Sequence, residues 1–387
     1  MPWFAESDLT PDFFEQDLRR YLNDAGLSVQ SVEVLPTVGA GTISRTQLRL
    51  RKFIGTFAVR IAYRAGDGRE RSIDLWLKSK PIDEESKLSL RSSMLGSGAL
   101  LRTWQRHHHL HELTGSHERE NLIAERVTDP RFLRHVPRVV KSFRVDAREA
   151  YVLLFEHVGQ MPLMDTFEDV TGWTLEHAAR VIRGLAQIHS VYFDQESELL
   201  SMDWLEPVPG ETYRWRSLAL WEALAEHVWE VSPDLCTPAL AALQRSTLRD
   251  FTSSRPRGVP CTLIHNNATP RNLGLREVDG ESTLCIYDWE VATIDLPQHD
   301  LAQFLCWTLS PDVTREQVAS LVGLHRTELE AATGRAIDAG AWTEGFRFAL
   351  RDVLIRKVPF LLLSRLYRNT SAAKRVVSTL QRLVELV

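Results

Sequence analysis

The side chains most able to do chemistry are crowded into one stretch, His265-Asn266-Asn267-Ala268-Thr269-Pro270-Arg271-Asn272, with Asp288-Trp289-Glu290 beginning sixteen residues after Asn272. Imidazole and carboxylate groups exchange protons, whereas carboxamides only donate and accept hydrogen bonds. A second set lies far upstream: Lys78, in the run IDLWLKSKP, and Glu120, in SHERENLIAERV, where it shares a helix face with Ile123 and Val127. A lysine is a point charge on a flexible stem and suits phosphate oxygens when a carboxylate fixes it. Taken singly, each group also has a bland explanation. Lys78 and Lys80 read as solvated strand-edge lysines, Glu120 as a surface helix charge, His265 as a hydrogen-bonded core histidine and Asp300 as a brace for a loop. The histidines between His107 and His111 would point in different directions on one helix, which argues against a shared metal site. Only the joint order along the chain, glycine loop, lysine, glutamate, His-x-Asn-x-x-x-x-Asn and Asp-Trp-Glu, speaks against the bland explanations.

The elements that must carry these groups are legible from pattern. Phe13, Phe14, Leu18, Tyr21 and Leu22 recur at helical spacing within residues 8–25, with Thr10 as a cap before Pro11. From Ser28 to Lys80 β-branched and alternating residues predominate, with turn signals at Val38-Gly39-Ala40-Gly41 and Ala65-Gly66-Asp67-Gly68, so an antiparallel sheet of about three to four strands is expected. Its last strand puts Ile73, Leu75 and Leu77 on one face and Trp76, Lys78 and Lys80 on the other. Residues 82–128 are helical in pattern, and RVVKSFRVD with AYVLLFEHVG then reads as a strand pair turning near Ala147. After Gly159 the helical period dominates, except between Pro260 and Thr293, where CTLIHNN and STLCIYDWEVAT read as two short strands flanking the loop NATPRNLGLREVDG. The expected fold class is α+β in two lobes, a β-rich N-terminal lobe over residues 1–156 and a mainly helical C-terminal lobe over residues 157–387.

A chain of 387 residues with 44% hydrophobic and 25% charged side chains has the composition of a folded, soluble protein with a large core. The net charge of −5 and the lack of a long basic stripe disfavour duplex nucleic acid as a main ligand. No apolar run reaches the roughly 18 residues of a membrane span, and Val358 to Leu363 is interrupted by Pro359. The start, MPWFAESDLTPDFF, has no basic region followed by an apolar one, so no signal peptide and a cytoplasmic location are expected. Cys236, Cys261, Cys285 and Cys306 lack short paired spacings and are expected as buried free thiols.

LIHNNATPRNL and CIYDWEVATIDLPQHDLAQFL together resemble the aminoglycoside phosphotransferase-like family, relatives of choline kinases and protein kinases. The resemblance covers roughly residues 30–310 and implies a bilobal protein-kinase-like fold that uses ATP and Mg2+ to move a γ-phosphoryl group to a hydroxyl. It also implies roles residue by residue. Asn272 and Asp288 would be metal ligands, and Lys78 would contact the α- and β-phosphates with Glu120, or failing that Glu118, as its partner. Gly39 and Gly41, in the loop Thr37 to Ser44, would cover the phosphates. The strand Tyr151 to Phe155 with Glu156-His157-Val158-Gly159 would be the hinge, putting Phe155 and His157 beside adenine; His265 and position 267 would complete the catalytic loop.

At position 267 the chain departs from the family, because Asn267 carries an amide where the pattern has the catalytic aspartate. A positioned base contributes ~10²- to 10⁴-fold, so transfer is expected to be slow or absent while the nucleotide and metal ligands persist. Three explanations stay open. The survival of Lys78, Glu120, Asn272 and Asp288 favours a base-disabled, Asp-to-Asn form of an active enzyme. The others are a natural pseudokinase that binds nucleotide as a scaffold for a partner protein, and a kinase whose loose transition state needs no strong base. The expected acceptor is a small hydroxylated metabolite, with a peptide Ser or Thr in natural-product biosynthesis as the alternative; neither nucleic acid nor a membrane is an expected partner. The acidic stretch 194–233, with Asp194, Glu196, Glu198, Asp203, Trp204, Trp215, Trp221 and Trp229, would suit a cationic acceptor or equally a groove for a peptide, with tryptophans that are simply core as the bland alternative.

Overall fold

The computed structural model describes residues 3–35, 52–159, 161–205, 211–250, 256, 258–364 and 371–387, without the side chains of residues 89, 92, 93 and 211–215. The chain divides into two compact units: Met1–Ser89, Gly115–Thr128 and Pro137–Gly159 form one, and Leu90–Thr114, Asp129–Val136 and Gln160–Val387 the other.

Alternation builds the first unit. β1 (Ser28–Leu35), β2 (Gly55–Arg64), β3 (Glu70–Ser79), β4 (Val139–Val145) and β5 (Ala150–Glu156) form one antiparallel sheet in the order β1-β2-β3-β5-β4. Val59, Ile61, Leu75, Leu77, Val152 and Leu154 are buried in one cluster with Phe14 and Leu18 of the helix Pro11–Leu22. Burying each such side chain contributes about 1.5–3 kcal/mol, and a one-residue slip would turn Leu75 and Leu77 to the opposite face, so this core fixes the register. The helix begins with Pro11 in its first turn and ends where Asn23 turns left-handed at φ 52°; Thr10 occupies the N-cap position, but its side chain makes no capping bond. The β2–β3 hairpin turns through residues 65–68, Ala65 N–H donating to the Arg69 carbonyl at 2.8 Å. The helix Ser116–Arg126 is tied to the sheet by Asn121, whose Nδ2 donates to the Val152 carbonyl at 3.0 Å and the Ser142 hydroxyl at 2.9 Å.

The second unit is mainly helical, and its strands differ from the sequence expectation. CTLIHNN and STLCIYDWEVAT do not pair with each other as wholes. β6 (Thr262–Ile264) pairs with β9 (Thr293–Asp295), whereas β7 (Leu273–Val278) pairs with β8 (Glu281–Ile286). The segment expected as loop therefore contains a strand, LGLREV, closed into a hairpin by Asp279 and Gly280 at φ 54° and 80°. The short alternation of that strand is easily taken for loop, and the Asp-Gly turn is the signal that marks it. The helix Gln298–Thr308 is buried on every side and sits behind these strands in sequence as the scaffold for Asp300. Pro359 does not break the last apolar run, because it lies in the first turn of the helix Val358–Ser364, where its missing N–H costs nothing. Among the described residues no helix is long and apolar enough to cross a membrane. Cys261, Cys285 and Cys306 are buried free thiols and Cys236 is a half-buried one.

Candidate active site

In the first unit, β3 carries Trp76 and Lys78 on the face opposite its core residues, Lys80 follows just beyond its end, and Glu120 meets these lysines from the helix Ser116–Arg126. Glu120 Oε2 accepts from Lys78 Nζ at 2.7 Å and from Lys80 Nζ at 3.1 Å. Lys80 is thus not the solvated lysine expected from its position at the strand end; its side chain is 1% exposed. Burial by itself would raise the Glu120 carboxyl, but the two ammonium groups outweigh it and hold the group down to about 2. Glu118 lies two residues back, on a different side of the helix, and pairs with Arg144 at 3.5 Å, so Glu120 is the partner that Lys78 meets. Phe155 stands opposite Trp76 in the β3–β5 register, and the His157 ring stacks on the Trp76 indole with centroids 5.0 Å apart and planes within 6°. The loop Thr37 to Ser44, with Gly39 and Gly41, lies outside the described residues.

In the second unit, the segment His265–Asn272 links β6 to β7, and its shape is fixed by hydrogen bonds from three directions. Asp300, with no exposed surface, accepts from the N–H of His265 at 2.7 Å and of Asn266 at 2.8 Å, and from His189 Nε2 at 3.1 Å. Burial opposes ionisation of Asp300, yet His189, His265 and the loop N–H bonds hold its carboxyl below the usual range. The bracing expected of Asp300 is what the geometry displays. His265 Nδ1 accepts from the Asn267 N–H at 3.2 Å, which leaves Nε2 to donate to the Tyr287 carbonyl at 2.9 Å. Both ring nitrogens are engaged in shaping the loop. The Asn267 carbonyl accepts from Thr269 N–H at 2.8 Å and from Asn272 Nδ2 at 3.0 Å. Asn272 is thereby oriented through its amide nitrogen, with its amide oxygen as the group able to donate an electron pair. Tyr287 N–H donates to the Asn272 carbonyl at 2.9 Å, which sets Asp288 one residue beyond the partner of Asn272. Asp288 and Asn266 are both left-handed, at φ 71° and 61°; such backbone conformations cost energy in non-glycine residues and cluster at functional sites.

Two further residues hold this loop and had no sequence signal. Lys357 Nζ donates to the Asn266 carbonyl and to Glu112 Oε2, each at 2.7 Å, and the same Glu112 oxygen accepts from Asn266 Nδ2 at 3.2 Å. Burial lowers the Lys357 ammonium from its ordinary value despite Glu112 beside it. The acidic, tryptophan-rich stretch is only partly a surface. Trp221 is core, 3% exposed, with Nε1 donating to Ser217 Oγ at 3.0 Å, and Asp194 pairs with Arg335. Trp204 and Trp229 are half-buried, and the Trp215 side chain lies outside the description.

Residues 96–336, more than half of the chain, match the phosphotransferase enzyme family (APH), and the chain belongs to that family. A homoserine kinase from Beijerinckia indica subsp. indica is 32% identical over 138 residues, which cover 34% of this chain and 42% of that protein; the chain thus matches less than half the length of this relative. Among solved structures, choline kinase from Cryptosporidium parvum Iowa II shares 12% identity across 92% of this chain and 90% of that one, with a TM-score of 0.50. The GDP complex of aminoglycoside 2'-phosphotransferase-IIIa shares 14% identity across 96% of both chains, with a TM-score of 0.45. The fold is the bilobal α+β fold of that choline kinase.

Proposed function

We propose that this chain is an ATP-dependent phosphotransferase whose acceptor is a hydroxyl of a small metabolite. The observation that carries the reading is the buried Lys78–Glu120 pair, with its second ammonium on Lys80, in a member of the phosphotransferase enzyme family. An ion pair buried this deeply is costly to assemble, and a cationic strand face held by one glutamate suits the triphosphate of a nucleotide. The donor set of the second unit, the Asn272 amide oxygen and the Asp288 carboxylate, fits a hard divalent cation such as Mg2+. When bound, that ion would neutralise charge on the β- and γ-phosphates.

Lys78 orients the phosphates, Glu120 fixes Lys78, and the His265–Asn272 loop presents position 267 to the acceptor. The acceptor oxygen forms a bond to the γ-phosphorus as the bond to the β,γ-bridging oxygen breaks, and ADP leaves. Asn267 can accept a hydrogen bond from the acceptor hydroxyl but cannot take its proton, which must go to solvent or to the transferred phosphoryl group. Slow turnover follows. Asn267 also favours a second reading, a pseudokinase that keeps nucleotide as a scaffold for a partner protein. The partial identity with a homoserine kinase supports a small amino-acid-like or amino-alcohol acceptor over a peptide Ser or Thr.

The test is turnover of ATP with a panel of hydroxylated amino acids, amino alcohols and aminoglycosides, by wild type and by Asn267→Asp. An acceptor-dependent rate in the aspartate form supports the enzyme. Nucleotide binding without transfer to any acceptor in either form leaves the scaffold reading, and absence of nucleotide binding removes both.

A further inference from the structure

Two histidine rings of the second unit stand behind the His265–Asn272 loop and have no part in the phosphate chemistry. His189 comes from the last turn of the helix Leu175–Ser190, and His325, 136 residues further on, from the middle of the helix Arg315–Thr333. Neither ring has exposed surface. His189 Nδ1 and His325 Nε2 lie 3.1 Å apart, with ring centroids at 5.2 Å and planes at 69°. On its other side His189 Nε2 reaches Asp300 Oδ2 at 3.1 Å, the same oxygen that accepts the His265 N–H. Thr262 Oγ1 of β6 donates to the His189 carbonyl at 2.6 Å, which anchors this helix end beside the start of the loop. His325, His189, Asp300 and the two loop N–H groups thus form one buried row of hydrogen bonds.

Each ring proton in this row has a defined place. The Asp300 carboxylate offers only lone pairs, so His189 must keep a proton on Nε2. Burial pushes His325 well below the usual imidazole range, so that ring is neutral and holds a single proton. The contact between His189 Nδ1 and His325 Nε2 needs one proton, which either ring could supply. If His189 supplied it, His189 would be a cation and His325 would carry its own proton on Nδ1. That nitrogen is buried and meets no partner among the described residues, so it would be a donor without an acceptor. Orphaned buried N–H groups are rarer than under-used acceptors. If His325 supplies the proton from Nε2, both rings are neutral and its Nδ1 is only a bare lone pair.

We propose that His325 is a positioning residue for the catalytic loop: its Nε2–H fixes His189 as the Nε2–H tautomer, which keeps Asp300 turned toward the N–H groups of His265 and Asn266. The nitrogen that carries the proton of a neutral imidazole is set by the hydrogen bond at its other nitrogen. Without the His325 donor, His189 can hold its proton on Nδ1, and its Nε2 then faces Asp300 lone pair to lone pair. The carboxylate turns away, and the N–H groups on either side of the His265–Asn266 peptide lose their common acceptor. As a statement about transfer rate this rests on the proposed phosphotransferase function, whereas the tautomer and the hold on the loop do not.

Long-range proton–nitrogen NMR spectra of the histidine rings, with amide hydrogen exchange, test it on the full chain as wild type, His325→Gln and His325→Leu. Wild type should show His189 and His325 both neutral with the proton on Nε2. His325→Gln, whose amide N–H replaces the donor, should keep that form of His189, and His325→Leu should lose it. Exchange at His265 and Asn266 should rise about 10-fold in His325→Leu, the effect of losing one hydrogen bond to a charged group, and stay near wild type in His325→Gln. In the Asn267→Asp form, adding His325→Leu should lower kcat about 10-fold with the KM for ATP unchanged. A doubly protonated His189 in wild type overturns the proposal. So does a His189 that keeps its Nε2–H form in His325→Leu, because Asp300 alone would then suffice. A rise in exchange shared equally by β7 and β8 marks general loosening and also overturns it. If His325→Leu does not fold, the wild-type spectrum and the retention of tautomer and exchange in His325→Gln carry the test. Absence of turnover with every acceptor defeats the phosphotransferase reading instead, and the spectra and exchange still decide the role of His325 in holding the loop.

Discussion

Replacing Glu120 by Gln should destabilise the first unit by about 3 kcal/mol at neutral pH, and the loss should fade in acid. Lys80 and Glu120 side chains are 1% and 10% exposed, so the amide would withdraw one carboxylate charge from two ammonium groups in a dry site. Removing one member of a buried ion pair typically costs about 3–5 kcal/mol. Linkage gives a similar size independently. The carboxyl is shifted from 4.5 down to about 2. At 1.36 kcal/mol per unit, that shift corresponds to about 3 kcal/mol. A depressed carboxyl stabilises the fold fully above its unfolded pKa and loses that contribution as pH falls through its folded pKa. The difference between wild type and Glu120→Gln should therefore be constant from pH 7 to about 5.5, narrow below about 4.5 and vanish toward 2. Urea unfolding of both proteins at a series of pH values measures it. A difference below about 1 kcal/mol at pH 7, or one that stays constant between pH 5 and pH 3, would refute the assignment of the stabilisation to this ion pair.

Three other outcomes follow from the same geometry. ATP with Mg2+ should raise the melting temperature by mass action, and Asp288→Ala should remove the Mg2+-dependent part of the shift in differential scanning fluorimetry. Asn267→Asp should raise acceptor phosphorylation by ~10²- to 10⁴-fold in a coupled ADP assay, and equal rates in the two forms would show that position 267 is not the base site. Asp300→Ala should strip the acceptors from two loop N–H groups and cost about 2–4 kcal/mol, with hydrogen exchange at His265 and Asn266 rising before that of distant core amides; uniform exchange changes would contradict a local brace.

Part of the molecule is written in local pattern. The period-two alternation of β3 fixes which face Lys78 occupies, since Leu75 and Leu77 must leave water and Lys78 need not. The same logic puts Glu120 on the helix face of Ile123, which is buried in the first unit, but the choice between Glu120 and Glu118 came only with the structure, where Glu118 pairs with Arg144. Residues 265–272 and 288 carry a spacing that places Asn272 across a strand pair from Tyr287, and the family match covers that whole region. What pattern missed is equally specific. LGLREV was too short and too polar at one end to separate from loop until its Asp-Gly turn is weighed.

The sequence by itself determined the α+β class, the strand that bears Lys78, the helix that bears Glu120 and the order of the loop residues, because these depend on periodicity and on neighbours a few positions away. Only the tertiary structure decided that Lys80 is enclosed and shares Glu120, that Asp300 gathers two loop N–H groups and His189, and that Lys357 and Glu112 lock Asn266. Lys357 lies 91 residues from Asn266, and Glu112 lies 154 residues from it. No local propensity couples positions so far apart. Their meeting is set by the packing of helices around the loop, and by the requirement that every charge taken out of water find its counter-charge or hydrogen-bond partner there.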